Sequence, residues 1–169
     1  MPNPKILFLL TLVFLSGCVG PYTVAVTVRH AEKQSVGSDP ALTVAGQQRA
    51  QALRDQLAGI NIAAVYATDT QRTRQTATPL ADSLGLPVIV YSTPTEIAAR
   101  VMADHRGEAV VIVGHSNTVG PIVSAFGADV PVELPQPIDE DDYDNMVTIV
   151  VNGNGSASAA HTTYGAPSP

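Results

Sequence analysis

The feature that most restricts the fold is a valine-rich run, Thr23 to Val28, that passes without a break into Arg29-His30. A short run with no polar alternation suits a strand buried on both faces, as in a parallel sheet. Two further apolar runs, Ala63 to Tyr66 and Ala109 to Val113, also lead into polar segments that open predicted helices. One continues as Ala67-Thr68-Asp69-Thr70-Gln71-Arg72, the other as Gly114-His115-Ser116-Asn117-Thr118. In an open α/β sheet such strand-to-helix turns gather beyond the carboxyl ends of the strands, where ligands bind. Arg29, His30, Arg72 and His115 are therefore expected to converge on one anion.

The remaining elements follow from local signals. Thr43 is a natural cap for a helix that buries Leu53 and Leu57 and stops at Gly59. Thr68 or Asp69 can cap a second helix, Thr70 to Leu84, which Pro79 should kink. Val88 to Tyr91 reads as a third strand, and Pro94 opens a helix reaching about Arg106. After the fourth strand, Asn117 or Thr118 starts a helix ending near Gly127. Asp129 to Asp142, with three prolines and an acidic end, reads as a long surface loop. Met146 to Val151 and Ser156 to Tyr164 flank Asn152-Gly153-Asn154-Gly155, a strong hairpin signal. This order implies an α/β three-layer sandwich, with a mostly parallel central sheet and an antiparallel edge hairpin. The folded domain is expected over 23–164, with a frayed tail at 165–169.

Composition excludes several classes. The 169 residues suit one domain with a real core. A net charge of −6 argues against nucleic acid as a main partner. The absence of tryptophan and an aromatic content of 5% disfavour a base- or sugar-stacking platform. The single cysteine, Cys18, rules out an internal disulfide and a cysteine metal cluster.

Two histidines and two arginines at helix-opening turns fit phosphoryl chemistry. The phosphoryl group is a dianion with three peripheral oxygens, and its transfer depends on positioning and charge balance. Guanidinium stays protonated and grips two oxygens, while a helix N-terminus adds oriented N–H donors. A histidine beside Arg29 and Arg72 is held neutral, which leaves His30 free to attack phosphorus.

These motifs together resemble the histidine phosphatase superfamily, also called phosphoglycerate-mutase-like. Arg29-His30 matches its first motif and Leu42-Thr43-x-x-Gly46-x-x-Arg49-Ala50 its first helix. Arg72-Thr73-x-x-Thr76-Ala77 matches its second arginine motif and Gly114-His115 its second histidine. The match spans roughly residues 23–127. The resemblance implies that His30 becomes phosphohistidine, that Arg29, Arg72 and His115 hold the phosphoryl group, and that no metal or other cofactor is needed. Ala31 replaces a common glycine, and Ser116 stands where some branches carry an acid. The proton donor then has to lie elsewhere. Glu96 is the positional candidate by analogy with the mutase-like branch, with Glu32 and the 139–142 acids as others.

The N-terminus carries its own signal. Lys5, then the apolar Ile6 to Leu15, then Leu15-Ser16-Gly17-Cys18 read as a short secretory leader. Its end resembles the lipobox of bacterial lipoproteins, with residues 1–17 removed, Cys18 lipidated and 18–22 a tether. An enzyme so anchored faces the periplasm or cell surface and acts on a small phosphorylated substrate. The short chain offers little lid for retaining and reorienting an intermediate, so hydrolysis is expected rather than a mutase reaction.

Two other classes are worth weighing. Gly114-His115-Ser116-Asn117-Thr118 partly matches the nucleophile elbow of serine esterases, with Ser116 as nucleophile and His161 as base. Thr118 replaces the last glycine, and this reading leaves both arginines unexplained. A lipoprotein that binds phosphate esters without turnover is the third class. Arg49, Arg54, Arg74, Arg100 and Arg106 read as solvated surface residues, His105 as a helix-end cap, and His161 as structural.

Overall fold

The computed structural model describes residues 22–168. Cys18 and the leader lie outside the described residues. The elements run β1 (Thr23–Arg29), α1 (Val44–Gln56), β2 (Ile62–Ala67), α2 (Gln71–Leu84), β3 (Val88–Val90), α3 (Pro94–Asp104), β4 (Ala109–Gly114), α4 (Val119–Ala125), β5 (Asn145–Val151) and β6 (Ala157–Thr163). They form one sheet in the order β3-β2-β4-β1-β5-β6. β1, β2, β3 and β4 are mutually parallel, whereas β5 runs antiparallel to β1 and β6 antiparallel to β5.

Alternation along the strands builds two cores. Ala25, Tyr66, Val110 and Ile112 face α3 and α4, where Ile97, Val101, Ile122 and Val123 meet them. Val26, Val28, Val65, Val111 and Val113 face the other way, against Leu53 of α1 and Ala77 and Leu80 of α2. Both faces of the inner strands are buried, which explains their unbroken apolar runs. The result is the expected three-layer α/β sandwich. Among the described residues no helix is long and apolar enough to cross a membrane.

Gly46 is required by close approach. A Cβ there would lie 2.2 Å from the carbonyl oxygen of Glu32. The first turn of α1 is thereby pressed onto the segment that follows His30.

Three expectations are corrected. The N-cap of α2 is Thr70, and neither Thr68 nor Asp69 caps it. Asp39, from the loop after β1, instead accepts from the Gln71 N–H at 3.0 Å. The 129–142 segment is more than a surface loop: Leu134 and Ile138 are buried in the core. The tail is tied down rather than frayed. Ser168 accepts from the Tyr143 N–H at 2.8 Å and donates its own N–H to Asp144 at 2.9 Å.

Candidate active site

The strand register places the two histidines side by side. Arg29 of β1 pairs with Gly114 of β4, and the His30 N–H donates to the Gly114 carbonyl at 2.9 Å. The imidazole rings stand edge to face with centroids 5.4 Å apart. A cleft of about 670 Å³ opens beside them, lined by Arg29, His30, Arg72, His115, Ser116 and Glu140 among others. That volume suits a small organic ligand. The structure thus brings Arg29, His30, Arg72 and His115 to one place at the carboxyl edge of the sheet.

His30 is 3% exposed. Its Nδ1 lies 2.8 Å from the Ala31 carbonyl oxygen, which can only accept, so Nδ1 carries the proton and Nε2 keeps a lone pair. Burial, with further push from Arg29, His115 and Arg72, lowers its pKa from 6.5 to about 3. Burial followed by Arg72 and Arg29 lowers His115 to about 4. Both rings are neutral at pH 7.

Hydroxyl groups position these residues. Thr68, at the end of β2, bonds His115 Nε2 at 2.8 Å and Thr73 at 3.1 Å. Thr76 of α2 accepts from the Ala31 N–H at 2.9 Å, fixing the backbone next to His30. Arg72 enters from the first turn of α2 and lies 3.6 Å from Asp39. Arg29 is almost wholly buried and donates through Nη1 to the carbonyls of Asp139 and Asp142. Its guanidinium carbon lies 4.2 Å from the centre of the Tyr143 ring, a cation–π stack. The Nε atoms of both Arg29 and Arg72 are buried without a partner. Two orphaned guanidinium donors beside one cleft are what an anion would satisfy.

The structure places the other candidates differently. Glu96 does not line the cleft; its carboxylate accepts from the Ser92 N–H at 2.6 Å while Thr93 caps the Glu96 N–H. It closes a capping box at the start of α3. Arg49 is a correction: it is 5% exposed, not a surface residue. It grips Glu32 with Nε and Nη2 at 3.0 and 2.7 Å, and donates through Nη1 to the Tyr164 and Ala166 carbonyls. His161 bonds Asn145 at 2.7 Å. β6 lies three positions from β4 in the sheet, roughly 14 Å at ordinary strand spacing. Ser116 bonds Glu140 at 3.4 Å instead of a histidine, so no esterase triad forms. Among the described residues no group of three or more His, Cys, Asp or Glu side chains is arranged to hold a metal ion.

Thr68, Tyr143 and the Arg29-binding carbonyls were not singled out in the sequence. Thr68 carried a usable signal, standing directly after a buried strand, while Tyr143 carried none.

Residues 25–99 match the model of the histidine phosphatase superfamily (branch 1). A comparison of the sequence with curated proteins finds no match. Among solved structures, the chain is similar to the protein histidine phosphatase SixA complexed with tungstate, at 18% identity and TM-score 0.67, over 83% of this chain and 96% of that one. It is also similar to YhfR of Bacillus stearothermophilus, at 20% identity and TM-score 0.63, over 82% and 95%. A mycobacterial glucosyl-3-phosphoglycerate phosphatase matches at 15% identity and TM-score 0.60, over 86% and 99%. These likenesses establish the fold, and with the motif match they give the conclusion that the chain belongs to the histidine phosphatase superfamily.

Proposed function

We propose that this protein is a phosphomonoesterase that works through a phosphohistidine on His30. Membership of the histidine phosphatase superfamily supports a phosphatase. The observation that carries the finer reading is the pair of orphaned guanidinium donors, Arg29 Nε and Arg72 Nε, at the cleft that holds a neutral His30. The phosphoryl dianion takes these donors together with His115. Its arrival also reverses the local field, so that His115 can bind a proton and share the charge. His30 Nε2 attacks phosphorus, the ester oxygen departs, and water then releases phosphate from the ring. The arginines supply the positive charge that such a transfer needs, so turnover is expected without added metal.

The substrate is a small phosphate ester, in keeping with the cleft volume. The Leu15-Ser16-Gly17-Cys18 signal supports an extracytoplasmic, lipid-anchored protein. A phosphorylated envelope sugar or a scavenged nutrient ester fits that address. Metabolic labelling with a palmitate analogue should mark the wild type and leave Cys18→Ala unmarked; an unmarked wild type would remove the anchor.

The deciding assay measures phosphate release from an aryl phosphate in EDTA, with phosphohistidine trapped in the denatured enzyme. His30→Ala should abolish both signals and Ser116→Ala should retain them. Phosphate-ester binding without turnover would make the protein a binding module, and aryl carboxyl ester cleavage that depends on Ser116 would revive the esterase.

A further inference from the structure

We infer that Glu140 is the catalytic acid that protonates the departing oxygen, carried into the cleft by the loop between α4 and β5. The inference rests on the phosphohistidine reading above. An alkoxide or phenoxide leaves phosphorus readily only when a proton reaches it, and the groups lining the cleft differ in what they can give. Guanidinium holds its protons throughout the accessible pH range. Lysine ammonium and serine hydroxyl are far weaker acids than a carboxyl group. His115 is neutral in the free site and has the Thr68 hydroxyl on its Nε2. Asp139 meets Arg29 through its main-chain carbonyl.

Glu140 has the required placement. Oε2 lies 3.3 Å from Arg29 Nη2 and Oε1 lies 3.4 Å from Ser116 Oγ. Its side chain is 72% exposed, so it exchanges protons with water and can pivot. The backbone around it is anchored. Ile138 is buried and donates its N–H to the Ser116 carbonyl at 3.3 Å, and the Asp139 and Asp142 carbonyls sit on Arg29. A freely turning carboxyl on a fixed loop thus shares the guanidinium that the phosphoryl group must use.

Substrate binding places a dianion beside this carboxylate. Uptake of one proton by Glu140 relieves the repulsion and loads the acid. His30 Nε2 then forms the N–P bond, the P–O ester bond breaks, and the Glu140 proton passes to the leaving oxygen to give the alcohol. In the second half, Glu140 carboxylate takes a proton from water as its oxygen attacks phosphorus. The N–P electron pair returns to Nε2, phosphate departs, and Glu140 is reloaded.

The test compares full-length wild type and Glu140→Gln on substituted aryl phosphates, from phenyl (a poor leaving group) to dinitrophenyl (a good one). A general acid contributes roughly 100-fold or more. Glu140→Gln should therefore lose about 100-fold in kcat/KM on the phenyl ester but less than about fivefold on the dinitrophenyl ester, for which a proton matters little. Glu140→Asp should recover part of the phenyl activity. Equal losses across the series would overturn the assignment and leave Glu140 with a binding or packing role. If the wild type releases no phosphate from any ester, the phosphohistidine reading itself fails and takes this inference with it.

Discussion

Replacing Arg49 by alanine tests whether the residue behind the site is a structural tie or a solvated helix charge. Its guanidinium holds the Glu32 carboxylate with two nitrogens, at 3.0 and 2.7 Å, and two tail carbonyls at 3.1 and 3.0 Å. Removing one partner of a buried pair costs about 3–5 kcal/mol, because the other charge is left unpaired. Glu32 keeps 21% exposure, which moves the expectation to the lower end, about 3 kcal/mol. The carbonyls of Tyr164 and Ala166 lose donors as well, adding about 1 kcal/mol in total because the tail can turn toward water. For a chain of 169 residues, each kcal/mol shifts the midpoint by about 2–4 °C, so Arg49→Ala should melt roughly 8–16 °C below wild type. Arg49→Lys keeps a charge but not the planar fork, and should recover less than half of the loss. Thermal melts with urea titrations measure both. A change within about 0.5 kcal/mol, the ordinary range for a surface substitution, would refute the buried-tie reading.

Gly46→Ala should destabilise the fold by about 1–3 kcal/mol, although alanine ordinarily favours a helix. The added Cβ meets the Glu32 carbonyl at 2.2 Å, and an unchanged or raised urea midpoint would contradict this. Thr68→Val should lower kcat/KM about 10- to 100-fold, with little change in melting, by freeing the His115 ring from its 2.8 Å partner; an unaltered rate would remove Thr68 from the site. The histidines also predict a pH dependence. His30 near 3 and His115 near 4 sit below the ordinary 6.5, so between these values the unfolded chain binds protons that the folded chain does not. Stability should therefore fall as pH drops from about 6.5 toward 4, less steeply in a variant with both histidines replaced by asparagine. Imidazole proton resonances that titrate near 6.5 in the folded protein would refute it.

Much of this could be read from the chain alone. Valine-rich runs with no polar alternation determined buried parallel strands, because a strand covered by helices on both faces has no solvent side. Asn152-Gly153-Asn154-Gly155 determined the hairpin, and the strand-to-helix turns identified Arg29, His30, Arg72 and His115, since such turns share one edge of an α/β sheet. What the tertiary structure decided was pairing across long separations. Arg49 has the helical spacing of a surface residue, and only the packing of α1 against the segment after β1 and the C-terminal tail reveals it as buried. Asp39 caps α2 from a distant loop, so no local signal at Thr68 or Asp69 could have shown it. Glu96 looked well placed in the chain, but a carboxylate three residues after Thr93 is captured by its own helix cap. The 129–142 segment reads as loop because its prolines and acids suppress regular structure. Its burial of Leu134 and Ile138, its carbonyls on Arg29 and the delivery of Glu140 arise only once β1 and β4 stand side by side.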